Sequence, residues 1–87
     1  MGKWFVYILQ SAKDRRFYIG STSDIEKRLA KHNAGGVDAT KYRRPLALVY
    51  KEELPYKITA MTRERQLKSL KSHKAIQALV DNGRASR

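Results

Sequence analysis

The first apolar run, KWFVYILQ at residues 3–10, carries large side chains on both faces of an extended chain. Trp4, Val6 and Ile8 would point one way, and Phe5, Tyr7 and Leu9 the other. With both faces apolar, the pattern predicts a central strand covered on each side. SAKDRR supplies a turn with Lys13 and Asp14 near its tip. FYIGS, residues 17–21, then returns as the second strand of an antiparallel hairpin. Gly20, close to the end of that strand, permits a close backbone approach or a positive φ.

The hydrophobic period then lengthens. Ser23 followed by Glu26 reads as a capping box, which predicts a helix from there to near Asn33, ended by Gly35 and Gly36. GGVDATKYRRP is a basic loop without periodicity, closed by Pro45. LALVYKE, residues 46–52, is a third apolar strand with imperfect alternation. Pro55 fits the first turn of a second helix over roughly 56–71. Ser72 can cap a third helix over 73–81, stopped by Gly83 and carrying Ile76, Leu79 and Val80 on one face. The closing GRASR is expected to fray. The order β-β-α-β-α-α predicts an α+β fold, a small three-stranded, mainly antiparallel sheet packed with helices. It makes one domain over residues 1–87, with its core at about 3–81.

Certain polar residues interrupt these patterns. On a helical period Ile25, Arg28, Leu29 and His32 form one stripe of the first helix. Ile25 and Leu29 would anchor it to the sheet. The plain alternative makes Arg28 a snorkelling edge residue and His32 a solvated residue at the helix C-terminus. In the second helix Ala60, Met61, Leu67 and Leu70 make the apolar stripe, with Glu64 in its middle. A buried unpaired carboxylate is costly, so Glu64 is expected to face a cleft and to hold a hard divalent cation. The alternative is an i,i+4 pair with Lys68. Tyr7 and Tyr18 lie on adjacent strands and can share a face, as ordinary packing or as paired phenols. Together these are the groups that phosphodiester cleavage needs. A base takes a proton from water, a fixed cation offsets charge on the phosphoryl oxygens, and a metal stabilises the leaving oxygen.

Composition sharpens the choice of partner. The 87 residues hold 19 Lys and Arg against 8 Asp and Glu, a net charge of +11 with His neutral. Such a field points to polyanions, DNA or RNA ahead of an anionic membrane. At 41% hydrophobic residues the chain can fill one thin core. The absence of cysteine removes disulfides and thiolate metal sites and fits a reducing compartment. No run of about 18 apolar residues is present, and WFVYIL is too short for a signal-peptide core. A soluble cytoplasmic protein without a membrane partner is expected.

FVYIL followed by FYIG resembles the two half-motifs that name the GIY-YIG nuclease superfamily. The resemblance continues through DIEKRLAKH, TKYRRP and RERQLK, over residues 4–80, and is strongest to the small stand-alone bacterial members. It implies roles position by position. Tyr7 and Tyr18 match the motif tyrosines, and Gly20 the glycine of the second half-motif. Arg28 matches the arginine that binds and polarises the scissile phosphate. His32 matches a position assigned to proton transfer or phosphate contact. Glu64 matches the ligand of a single divalent ion, Mg2+ or Mn2+. Which tyrosine is the base stays open, because a phenol with a reference pKa near 10 needs help to lose its proton. Phe5 and Val6 stand where the name motif has glycine and isoleucine.

The resemblance implies a divalent-metal-dependent endonuclease that hydrolyses phosphodiester bonds in DNA. Lys13, Arg15, Arg16, Lys41, Arg43 and Arg44 would line a phosphate groove, with Tyr42 in the same loop. Such contacts carry little sequence information, so weak sequence preference is expected. Selectivity is left to nucleic-acid structure (branched or damaged DNA, as in DNA repair) or to a protein partner. RNA and the oligomeric state stay open. The protein would sit at the bacterial nucleoid by way of DNA. One alternative is a non-catalytic nucleic-acid-binding module of the same fold. Another is a small ribosomal or chromosomal basic protein, in which Arg28, Glu64 and the tyrosines need not converge.

Overall fold

In the computed structural model, which describes residues 3–85, the first apolar run becomes strand β1 (Trp4–Ser11), at the centre of a three-stranded sheet. β2 (Phe17–Thr22) and β3 (Leu46–Leu54) pair antiparallel with it on either side, in the order β2-β1-β3. The helices are α1 (Ile25–Asn33), α2 (Lys57–Lys68) and α3 (His73–Ala85). The α+β class and the order β-β-α-β-α-α are those the sequence pattern predicts. Among the described residues no helix is long and apolar enough to cross a membrane.

Alternation along β1 sorts the core in two. Val6 and Ile8 pack with Ala60 and Leu67 of α2 and with Ile76 and Val80 of α3. Tyr7 and Leu9 point the other way and pack with Leu46, Ile25 and Leu29. One face of the sheet is thus covered by α1 and the other by α2 and α3. The imperfect alternation of β3 follows from serving both. The β1–β3 register shifts between Ile8 and Leu9, so that Tyr50 opposes Ile8, Leu48 opposes Leu9, and Val49 is the extra residue. Leu46 and Leu48 therefore turn towards α1, whereas Val49, Tyr50 and Leu54 turn towards α2 and α3. The strand also runs on to Leu54 instead of ending near Glu52.

Several element ends differ from expectation, each for a local reason. Asp24, not Ser23, caps α1, its carboxylate accepting the Lys27 N–H at 3.0 Å. Gly35, at φ +84°, follows as the left-handed terminator. Pro55 precedes the N-cap Tyr56 rather than entering the first turn of α2, and the helix ends at Lys68, short of residue 71. Lys71, at φ +50°, turns the chain towards α3, where Ser72 Oγ accepts the Ala75 N–H at 3.2 Å. Gly83 does not stop α3, which runs on through it to Ala85. A Cβ at Gly83 would lie 3.0 Å from the Tyr50 ring, so the glycine lets α3 approach β3 closely. The expected frayed tail is thus helical as far as Ala85, and Ser86 and Arg87 lie outside the described residues.

The apolar stripe of α2 is narrower than predicted. Ala60 and Leu67 are buried, but Met61 and Leu70 are exposed. Arg63 and Glu64 fill the sheet-facing positions between them and reach opposite edges of the sheet. Arg63 forks onto Glu52 of β3, Nε to Oε1 at 2.9 Å and Nη2 to Oε2 at 3.0 Å, and the Tyr50 hydroxyl donates to the same carboxylate at 2.5 Å. Burial alone would raise the Glu52 pKa; the Arg63 and Tyr50 bonds outweigh it and hold the carboxyl below its ordinary value.

This fork is the polar anchor between α2 and β3. Arg63→Ala leaves a half-buried carboxylate without its guanidinium and is expected to cost about 1–3 kcal/mol in urea unfolding. Arg65→Ala, at an exposed position of the same helix, should cost under about 0.5 kcal/mol. Equal losses would show that the fork anchors nothing.

Candidate active site

The site begins with Gly20. It stands directly opposite Tyr7 in the β1–β2 ladder, and a Cβ there would lie 2.5 Å from the Tyr7 hydroxyl oxygen. Close approach, and not a positive φ, is what requires glycine here. Tyr18 opposes Leu9, so the two tyrosines are diagonal neighbours on one face, with ring centres 6.4 Å apart.

His32 completes the cluster from α1. It is fully buried, which removes the reading of a solvated end residue. Thr40 Oγ1 lies 2.8 Å from His32 Nδ1 and makes a long bond of 3.5 Å to the Val37 carbonyl. The threonine hydroxyl can donate to that carbonyl while accepting from Nδ1–H. In that tautomer Nε2 accepts the Tyr7 O–H, 3.0 Å away. The Tyr18 ring packs edge-on against His32 at 4.9 Å. Burial, then the charges of Arg28 and Lys31, push the His32 pKa below its ordinary 6.5, so the ring is neutral at pH 7. Burial likewise pushes the Tyr7 phenol up to about 12; Tyr18 and Glu64 add to this, while the charge and hydrogen bonding of Arg28 oppose it.

Arg28 and Glu64 therefore both act on the Tyr7 phenol, yet they come from opposite layers. Arg28, half-buried on α1, lines a cavity of about 290 Å³ with Thr22 and Asp24. Glu64 comes from α2, where Oε1 accepts from Ser21 Oγ at 2.7 Å and Oε2 from Lys68 Nζ at 2.6 Å. Its own concavity, about 190 Å³, is shared with Met61, Arg65 and Lys68. The site straddles the edge strand β2 at residues 20–22, with a separate cavity for each of the two side chains. Both sequence readings of Glu64 hold together: it lines a cleft, and it pairs with Lys68.

The chemistry of Glu64 fits one hard cation. Among the described residues no group of three or more His, Asp or Glu could hold a metal, and the concavity of Glu64 has that residue as its one carboxylate. Magnesium commonly takes one or two carboxylates and completes its shell with water and phosphate oxygens. A carboxylate has about four acceptor sites, so Glu64 keeps capacity beyond Ser21 and Lys68.

The basic residues divide. Lys13, Arg15, Arg16 and Arg44 are exposed, and Lys13 Nζ donates to the Tyr42 carbonyl at 3.1 Å. Lys41 lies 5.2 Å over the ring of Tyr42, which is 75% exposed. Arg43 departs from the groove expectation. Its Nε lies 3.3 Å from Asp14 Oδ2, its Nη2 donates to the Phe17 carbonyl at 3.4 Å, and its own carbonyl accepts from Ser11 Oγ at 2.6 Å. It straps the basic loop to the β1–β2 turn. Ser21 and Thr40 escaped the sequence reading. Ser21 follows Gly20 but points to the other face, and Thr40 lies in an aperiodic loop that carries no periodic signal.

Comparison with known proteins gives consistent findings. The GIY-YIG catalytic domain matches residues 3–77. A UPF0213 protein of Staphylococcus haemolyticus is 41% identical over 82 residues, covering 93% of this chain and 99% of that protein. A UPF0213 protein of Natronomonas pharaonis is 40% identical over 78 residues, covering 88% of this chain and 91% of that protein. The solution NMR structure of a UPF0213 protein from Bacillus halodurans superposes with a TM-score of 0.58 at 36% identity, covering 93% of this chain and 86% of that one.

Two outcomes are expected of the buried cluster. Gly20→Ala should displace the Tyr7 phenol from His32 and cost about 1–3 kcal/mol of stability by overpacking; an unchanged urea midpoint would show that the close approach is slack. For His32 the folded pKa lies below the unfolded 6.5, so the unfolded chain takes up the proton first as pH falls. Its contribution is complete above that value and is lost towards the folded pKa, at up to about 1.4 kcal/mol per pH unit. His32→Gln should flatten the decline in stability as pH falls below 6.5. Equal slopes for both proteins would contradict a neutral buried ring.

Proposed function

The chain belongs to the GIY-YIG catalytic-domain family, a nuclease-type domain, and on that premise we propose that it is a divalent-metal-dependent endonuclease hydrolysing phosphodiester bonds in DNA with weak sequence preference. The observation that carries the proposal is the convergence on one phenol. Tyr7 bonds His32 and feels the charges of both Arg28 and Glu64.

In this reading Arg28 binds the scissile phosphate and offsets the charge that grows on its non-bridging oxygens. Tyr7 is the general base. As it takes a proton from the attacking water, its own proton passes to His32 Nε2, 3.0 Å away. With the proton on Nδ1, bonded to Thr40, that nitrogen is open as an acceptor. Burial raises the Tyr7 pKa to about 12 and lowers that of His32, so a complete transfer in the resting protein is uphill. The phenol is therefore deprotonated only together with attack, and Arg28, which already lowers its pKa, narrows the gap. Glu64 would hold one magnesium or manganese ion with phosphate and water oxygens, and the ion would supply Lewis-acid stabilisation of the leaving oxygen.

The exposed Lys13, Arg15, Arg16 and Arg44, with the half-buried Lys41, would give a phosphate-binding surface, with Tyr42 as an exposed ring among them. Phosphate contacts position a duplex without reading its sequence, which supports weak preference. A protein partner could add the selectivity that such contacts lack.

The test is cleavage of plasmid DNA with magnesium or manganese by the wild type, Arg28→Ala and Glu64→Ala. Both variants are expected to lose about a hundredfold or more in rate. Equal cutting by all three would trace the activity to a contaminant and end the proposal. Binding without cutting would leave a nucleic-acid-binding module in its place.

A further inference from the structure

A third cavity, of about 390 Å³, opens between the start of β2 and the turn from α2 to α3. Its size falls within the range of small-molecule sites. Ile19, Leu67 and Ile76 give it an apolar floor. One wall is aromatic: the rings of Phe17 and His73 stack with centres 4.6 Å apart and planes at 26°. The rim is cationic, with Arg16, Lys68 and Lys71, and no acidic residue lines it. Lys68 also bonds Glu64, so this cavity begins where the concavity of the acid ends.

We propose that the cavity takes one unpaired nucleobase together with its phosphate, from a nucleotide neighbouring the cleaved bond in single-stranded DNA. The proposal rests on the nuclease reading above and deepens it by naming a substrate class. An apolar floor and a π wall suit the face of any base, and such stacking is worth about 1–3 kcal/mol per base with little sequence preference. Arg16 and Lys71, beside the Lys68 that also bonds Glu64, suit the attached phosphates. A base inside a duplex cannot reach such a cavity without leaving its stack, at a cost of a few kcal/mol. The cavity thus favours DNA that is already single-stranded or frayed beside the scissile phosphate.

Binding is measured by fluorescence anisotropy in EDTA, so that it is read apart from cleavage. The probes are a labelled oligothymidylate and a blunt duplex of the same length. The proteins are the wild type, His73→Ala and Lys71→Gln, both changes being at exposed positions, with thermal melts to confirm that each variant is folded. The wild type is expected to prefer the single strand. His73→Ala should weaken single-strand binding about fivefold or more and leave duplex binding within about twofold. Lys71→Gln should reduce the salt slope on the single strand by about 0.7. If neither variant changes single-strand affinity, or both lower single-strand and duplex affinity alike, the cavity holds no base. If plasmid cutting persists in that case, the nuclease reading survives and this proposal alone falls. If the selective loss appears but no cutting is found with either metal, the base site stands and the nuclease reading falls.

Discussion

The fold turns on burying an imidazole. A fully buried polar ring is tolerated only when both nitrogens are bonded, because an unmet donor or acceptor costs about 1–3 kcal/mol. His32 meets that condition by drawing on two distant segments, Tyr7 of the central strand and Thr40 of the basic loop. The ring therefore fixes where α1 lies on the sheet and where the loop returns. Other bonds act to the same end. Asn33 clasps Leu46 at both backbone atoms, its Nδ2 donating to the carbonyl at 2.9 Å and its Oδ1 accepting from the N–H at 2.8 Å. Ser11 Oγ accepts the Lys13 and Asp14 N–H groups while it donates to Arg43. A segment without helix or strand is thus held at its ends and its middle.

The candidate chemistry is assembled around an edge strand instead of inside a cavity. Successive residues of β2 point to opposite faces, and residues 20–22 use that alternation. Gly20 makes room for the phenol on one side, Ser21 holds the acid on the other, and Thr22 lines the cavity of Arg28. Because β2 has no further strand beyond it, groups from both layers can act at the same border. Small residues at these positions let the layers approach each other.

The sequence made the elements that depend on repetition readable. Alternation located β1 and β2 and assigned each side chain of β1 to its face, and the helical stripe placed Ile25, Arg28, Leu29 and His32 together. The tyrosines, Arg28 and Glu64 were legible because polar groups at apolar-phase positions stand out, and the half-motifs gave their order. What depends on one tertiary contact was not legible. The phase change in β3 answers to a bulge, and Gly83 answers to the Tyr50 ring and not to a helix end. Arg43 looked like its basic neighbours until its partners in the β1–β2 turn were known. Thr40 owes its place wholly to a histidine that precedes it in the chain.

The open borders of the sheet carry a consequence for self-association. Both β2 and β3 are outer strands, and each leaves a row of backbone groups that a second copy could pair with. Pro45 and Pro55 bracket β3, and its Lys51 and Glu53 are exposed, so an approaching strand would meet charge along the edge and residues at its ends that cannot extend a ladder. A net charge of +11 adds long-range repulsion between copies. That repulsion weakens where polyanions neutralise it, so crowding along nucleic acid is the circumstance in which the prolines must keep neighbouring sheets from fusing.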